Sequence, residues 1–527
     1  MSAAAAATSP QKPGGFLGLI ERVGNKVPHP AILFLGLCVG VILISAIMSI
    51  IGVSATYEVA VPGATGGDYH VETRTVHIQS LLDGDGIRYL FTSFVPNFMS
   101  FTAMGIILIV MIGVGVAERS GLIGALIRRL VAASSRGALT YIVVFLGILS
   151  SVASDAGYLV LIPLGAAAFL SIGRHPLAGL AAAFAGVAGG FGVNFLVTPT
   201  DAVLTEITNE AIHLVDPARS IDLTANLWFG IVSTILLTLL FGFVTSRLVE
   251  PRLGAYDPSL APPASDATIQ TADSGPAVDD AAEGRGLRLA GIYMLAAAVV
   301  IGLLTVLPGA PLRDPETGSI IGNSPFMNGL IVIITVLFFA AGIGYGRGAG
   351  TVRTANDVID AITKSWAGLA GLLFLFLLIA QFIAYFNYSN MPQIIAVTLG
   401  DLIERTSIGG GGLLLISILI TLVVGVILPQ AIAKWALLAP IFIPLFMHQG
   451  IDPAAVLAAY RVADSPINVV NPIMAYFPLI VIFAARYDRK AGIGTVIALM
   501  LPYFVLAMIA WTVLFLGWFA LGLPWGI

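Results

Sequence analysis

Five polar side chains sit in one apolar stretch between Leu428 and Pro478: Lys434, Arg461, Asp464, Asn468 and Asn471. A polar or ionisable group at membrane depth is costly unless paired or wetted, so each of these is a candidate site residue. Arg461 and Asp464 lie three residues apart on one helical face, where they can neutralise each other. Alternatively, Arg461 offers a planar fork to a substrate carboxylate, while Asp464 orients it or relays a proton. Lys434 can snorkel towards water. Beside Trp435 it can also serve an anionic aromatic substrate, with plain packing of the indole as the competing reading.

The elements that must hold these groups are broken ones. Pro429, Pro440, Pro444, Pro453, Pro466 and Pro472 interrupt the stretch. Interrupted backbone is tolerated in a bilayer only where protein covers it or it lines a cavity. A second such stretch runs from Ser150 to Asp201. Its Pro163, Pro176 and Asn194 precede Pro440, Pro453 and Asn471 by a constant 277 residues. Paired interrupted segments at matching places in two halves point to a transporter's binding site. Ser154 and Asp155 at the upstream tip, with Asn194, Thr198 and Asp201 at the upstream break, are oxygen ligands suited to sodium or to proton coupling. Asp201 can instead serve as a helix N-cap. Asn468 and Asn471 form the downstream set.

Composition sets the class. Hydrophobic residues make up 58% of the 527 residues and charged ones 10%, against about 45–50% and 25% in soluble domains. The chain reads as an all-α polytopic membrane protein whose principal partner is the lipid bilayer, with nothing to suggest nucleic-acid binding. The lone Cys38 rules out a disulfide framework. The six histidines lie in or beside loops without an i,i+4 pair, so no metal beyond a possible sodium ion is expected, and no cofactor.

Taken in order, residues 1–28 form a tail with a short interfacial helix at 15–27. The first membrane half covers 29–249, with spans near 30–52, 101–118, 176–205 and 225–248. The polar segment 53–86 is a loop with some strand. Arg119, Arg128, Arg129 and Arg136 place one face in the cytoplasm. If 138–173 crossed fully, Arg174 and His175 would fall on the opposite side, so 138–173 reads as a re-entrant hairpin with its tip near 150–157. Residues 250–286 have the composition of a disordered linker. The second half, 287–527, has spans near 287–308, 327–346, 366–387, 453–484 and 491–521, and a hairpin at 409–449 entering from outside with Lys434 and Trp435 at its tip. Nine spans and two opposed hairpins make an inverted repeat. The N-terminus is then cytoplasmic and the C-terminus external.

Four stretches carry a family resemblance: AKWALLAPIFIP (Ala433–Pro444), YRVADSPIN (Tyr460–Asn468), AGYLVLIPL (Ala156–Leu164) and GRHPLAGLAAAFAGVAGG (Gly173–Gly190). They resemble the AbgT family of bacterial transporters over nearly the whole chain. The resemblance implies a bowl-shaped homodimer in the bacterial inner membrane and transport of p-aminobenzoyl-glutamate, a folate breakdown product. It also implies that Asp201, Trp435, Pro453, Arg461 and Asp464 handle substrate. Some relatives export sulfonamide antimetabolites. The chain departs from the family where Pro429, Gln430 and Ile432 replace serines, at Gly192 and at Pro199, which weakens a sodium-coupled cycle and favours a proton through Asp464 or Asp201.

The leading expectation is therefore a secondary transporter of p-aminobenzoyl-glutamate working by ion-coupled alternating access. Sulfonamide efflux and sodium/dicarboxylate symport are the alternatives, and Trp435 speaks against the latter. An intramembrane hydrolase would need a nucleophile with its base, and no span holds a histidine. A channel fits paired broken segments less well than a carrier. The chain is not expected to be an enzyme.

Overall fold

The structure is a computed structural model that describes residues 30–62, 69–132, 135, 137–153, 157–262, 279–320, 324–404 and 409–527. The N-terminal tail with its expected interfacial helix, residues 263–278 of the linker, and Ser154, Asp155 and Arg136 lie outside the described residues.

Among the described residues nine helices are long and apolar enough to cross a membrane. Seven coincide with spans expected from the sequence: Pro30–Ile51, Thr102–Arg119, Leu227–Leu253, Asp280–Val306, Leu330–Ala349, Ala370–Tyr388 and Ile493–Ala520. The other two, Gly410–Ile427 and Ala431–His448, fall in the stretch expected to form the second hairpin. The broken segments drop out because neither half of either is long enough. Pro453–Ile467 has 15 residues, about 22 Å of helix against a hydrocarbon core of about 30 Å. Helix Asp280–Val306 starts two turns earlier than expected, so the linker is shorter than its composition suggested. The polar segment after the first span forms an antiparallel pair, Ser54–Pro62 with Tyr69–His77.

Both interrupted stretches are realised as helix, break, helix. Upstream, Leu139–Leu149 leads through a 3₁₀ turn (Ser150–Ala153) to the tip. The chain resumes with a π-helical turn, Gly157–Leu161, and the helix Ile162–Ser171. Helix Pro176–Phe184 follows, loosening into a second π turn, Ala185–Gly189, before Pro199–Ile212. Such π turns gather at functional sites. Downstream, Pro453–Ile467 breaks before Phe477–Ala485.

Small residues bring these helices together. A Cβ on Gly147 would stand 2.8 Å from the Cα of Gly186, and one on Gly348 2.6 Å from the Cα of Gly286. Only backbone-to-backbone packing of this kind fits there.

Candidate functional site

The two breaks are built alike. The Asn194 carboxamide donates to the carbonyls of Ile148 (3.2 Å) and Leu149 (3.4 Å) and to Ser151 Oγ (2.9 Å). The Asn471 carboxamide donates to the carbonyls of Gly425 (2.9 Å) and Val426 (3.4 Å). The partners lie 46 and 45 residues upstream in both cases, so the offset of 277 seen in the sequence recurs in the hydrogen bonds. In each half an asparagine satisfies carbonyls freed where the first hairpin arm ends. Its Oδ1 is occupied too: Phe195 N and Leu196 N donate to Asn194, and Ile473 N donates to Asn471.

The charged groups gather where the upstream break meets helix Pro453–Ile467. Arg461 Nη1 donates to Asp201 Oδ1 and to the Gly192 carbonyl, the latter at 3.0 Å. Arg461 Nε is buried without a hydrogen-bond partner. Thr198 caps Pro199–Ile212, and Asp201 is the N3 residue of that capping box: Thr198 N and Oγ1 both donate to Asp201 Oδ2 at 2.7 and 2.8 Å. Asp201 is thus a cap partner and an ion-pair partner at once. Close approach is possible because residue 192 is glycine, since a Cβ there would lie 2.4 Å from Ser465 Oγ. Ser465 Oγ in turn accepts from Gly192 N at 2.8 Å.

Arg461 and Asp464 do not pair with each other. Asp464 Oδ1 instead lies 2.7 Å from Lys434 Nζ, with side-chain exposures of 3% and 0%. Lys434 therefore does not snorkel. The ammonium has ion-pair contact but no aligned hydrogen bond, so charge rather than directional bonding holds it. Tyr460 sets the pair's surroundings, its hydroxyl lying 2.6 Å from the Ala431 carbonyl and 3.0 Å from Asp464 Oδ1. One phenolic proton cannot serve both acceptors.

Lys434 and Trp435 stand one turn inside the second arm, not at the tip, which is Leu428–Gln430. Trp435 is fully buried: its ring packs on Tyr460 at 4.6 Å, and its Nε1 donates to Thr208 Oγ1 at 2.9 Å. Pro453 is the first residue of its helix, eleven residues before Asp464 and so roughly 16 Å away along the axis. Asn468 follows that helix, is 6% exposed, and faces a cavity of about 420 Å³. A second cavity of about 30 Å³ lies against Arg461, Asp201 and Gly192, room for about one water.

Tyr460, Thr208, Gly192 and Ser465 were not marked as site residues by the sequence reading. Tyr460 had a signal, four residues before Asp464 on the same face. The expected sodium ligands Asn194 and Thr198 have their oxygens engaged in the bonds above. Among the described residues no group of three or more His, Cys, Asp or Glu could hold a metal.

Residues 15–527 match the family model described as the AbgT putative transporter family. The chain is 34% identical over 522 residues to the p-aminobenzoyl-glutamate transport protein of Escherichia coli (strain K12), covering 98% of this chain and 97% of that one. Among solved structures it is similar to the YdaH transporter of Alcanivorax borkumensis, with a TM-score of 0.86 and 40% identity over 95% of this chain and 100% of that one. Similarity to MtrF of Neisseria gonorrhoeae, described with a class of antimetabolite efflux pumps, has a TM-score of 0.85 and 39% identity over 96% and 97% of the two chains.

Proposed function

The chain belongs to the AbgT family of transporters, and from that premise we propose that it carries p-aminobenzoyl-glutamate, or a close aromatic anion, across the bacterial inner membrane by ion-coupled alternating access. The observation that carries this reading is the Arg461–Asp201 pair, which joins the upstream break to the downstream helix. A substrate carboxylate that takes the guanidinium from Asp201 exchanges one anion for another. The buried charge stays compensated while the contact between the two halves is released. Arg461 Nε, without a partner here, leaves part of the fork for that exchange.

The coupling ion is a proton. Lys434, Asp464 and Tyr460 form a closed set in which the phenol cannot satisfy both of its acceptors. A proton arriving at Asp464 lets its carboxyl donate to Tyr460 and releases Lys434, which would loosen the second arm from helix Pro453–Ile467. Asn194 and Thr198 stiffen the upstream break rather than bind sodium. Ser154 and Asp155 stay candidates for ion or proton entry at the upstream tip, and Asn471 for the downstream break. Residues 29–249 and 287–527 act as two halves of one membrane domain in a homodimer, with the N-terminus cytoplasmic and the C-terminus external.

Uptake of labelled p-aminobenzoyl-glutamate into proteoliposomes under separate sodium and proton gradients tests this. Saturable uptake driven by the proton gradient, and lost in Arg461→Ala, is expected. Uptake driven by sodium alone overturns the coupling, and no uptake under either gradient overturns the cargo. The similarity to MtrF favours one second reading, export of antimetabolites. It predicts that cells expressing the chain accumulate less labelled sulfonamide, whatever the proteoliposomes show.

A further inference from the structure

The cavity of about 420 Å³ does not hold the charges. Pro429, Gln430 and Ile432 of the second tip, Tyr158 of the first hairpin, Asn468 and Tyr476 are among its lining, and among the described residues no lining residue is charged. Residues alternate across the upstream break. Phe191 and Thr200 face this cavity, whereas their neighbours Gly192 and Asp201 face the small one beside Arg461. A carboxylate in the large cavity would lose water and gain no counter-charge. Its volume nevertheless lies within the range of roughly 300–1,000 Å³ usual for small-molecule sites.

Two features say what would be bound there. Tyr158 and Tyr476 stack at 4.4 Å with 13° between their planes, offering aromatic surface from both halves. Asn468 is 6% exposed, and its Oδ1 has no hydrogen-bond partner. A buried polar atom left unpaired costs stability, whereas an apolar group of similar shape would not. Asn194 and Asn471 both spend their carboxamides on the fold, and Asn468 does not.

We propose that this cavity is an aryl subsite, which takes an uncharged aromatic ring against Tyr158 and Tyr476 and pairs that ring's amine or amide with the Asn468 carboxamide. The inference builds on the transport reading, in which the aryl end of the substrate would lie here while its carboxylates are handled at Arg461. It predicts that an arylamine without any carboxylate binds by itself.

The probe is p-aminobenzamide, titrated into the purified full-length protein in nanodiscs, with thermal melting of each variant alongside. Saturable binding is expected to fall at least tenfold in Asn468→Leu, with a melting temperature equal to or above that of the parent. Asn468→Asp, which keeps an oxygen in place, should retain binding within a few-fold, and Arg219→Ala, at a residue that does not line the cavity, should leave it unchanged. Ile432→Trp, which fills the cavity, should abolish it and serves if Asn468→Leu does not fold. Equal binding in parent and Asn468→Leu, or no binding to the parent, overturns the subsite. Binding that depends on Asn468 in a protein that does not move p-aminobenzoyl-glutamate keeps the subsite and rejects the cargo.

Discussion

The two halves share their joinery and divide their chemistry. Asn194 and Asn471 close the same carbonyl gaps at the same sequence distances. Yet where the second half has Lys434, Arg461 and Asp464, the first half has Gly157, Phe184 and Val187 at the offset of 277. The matching hydrogen bonds thus belong to the frame around the two breaks. Among the described residues the buried Lys434, Arg461 and Asp464 belong to the downstream copy, and the upstream copy contributes Asp201 as a counter-ion across the junction. A duplicated frame need not mean a duplicated site.

Removing one member of the enclosed pair should break this arrangement most severely. Asp464→Leu leaves Lys434 buried with no counter-charge, a change that costs about 3–5 kcal/mol where one partner of a buried pair is lost. The melting temperature should fall sharply and uptake should vanish. The double variant Lys434→Met/Asp464→Leu should recover most of the melting temperature, because apolar replacement of a whole pair is close to neutral, while uptake stays absent. A double variant as unstable as the single one would show that the two residues do not act as a unit.

Separating the halves should cost less stability and as much function. Arg461→Ala frees Asp201, which keeps its bonds to Thr198, so the expected loss is about 1.5–3 kcal/mol, that of a hydrogen bond to a charged group. Uptake should drop at least tenfold. Asp201→Asn should lose uptake comparably, since the fault is then on the other side of the same contact. Wild-type uptake in Asp201→Asn would leave Arg461 as the only member of the pair that the cycle needs.

Much of this was legible in the sequence because hydropathy and proline are local signals. The breaks at Asn194 and Asn471 followed from apolar runs that could not continue as helix. The partners of Arg461 were not legible. Helical spacing put Asp464 three residues away, but the side chain turns instead to Asp201, 260 residues upstream. The close approach of residue 192 to Ser465 and Arg461, which glycine permits, is not something spacing along the chain can report. The burial of Lys434 was not legible for a related reason: hydropathy showed the turn at Leu428–Gln430 but not that Lys434, one helical turn later, is enclosed against Asp464. Spacing along the chain reports which residues share a face, and not what covers that face.

The asparagine staples sharpen the comparison at a smaller scale. Asn194→Ala and Asn471→Ala should each destabilise by about 1–3 kcal/mol, the cost of leaving buried carbonyls unpaired. The loss should be greater for Asn194, which also holds Ser151. Thermal melting checks the order. A neutral Asn471→Ala would show that the repeated geometry does not carry repeated energy.

The smallest effect is expected where the hairpins turn into the broken helices, because there the matching corners differ in exposure. Arg174 holds Glu250 through Nε at 2.8 Å and also Thr140 Oγ1 at 2.8 Å, with side-chain exposures of 21% for Arg174 and 23% for Glu250. Arg219 reaches Asp452 by one contact of 3.2 Å, with side chains 44% and 51% exposed. Water screens the second pair, and an exposed ion pair contributes about 0–1 kcal/mol. Asp452 also keeps its cap bond to Ala454 N whatever Arg219 does. Arg219→Ala should therefore shift the melting temperature by less than Arg174→Ala, and its small shift should disappear at high salt. An Arg219→Ala effect as large as that of Arg174→Ala, unchanged by salt, would mean that the Asp452 corner is locked as firmly as its counterpart, and that the two halves share their fastening as well as their breaks.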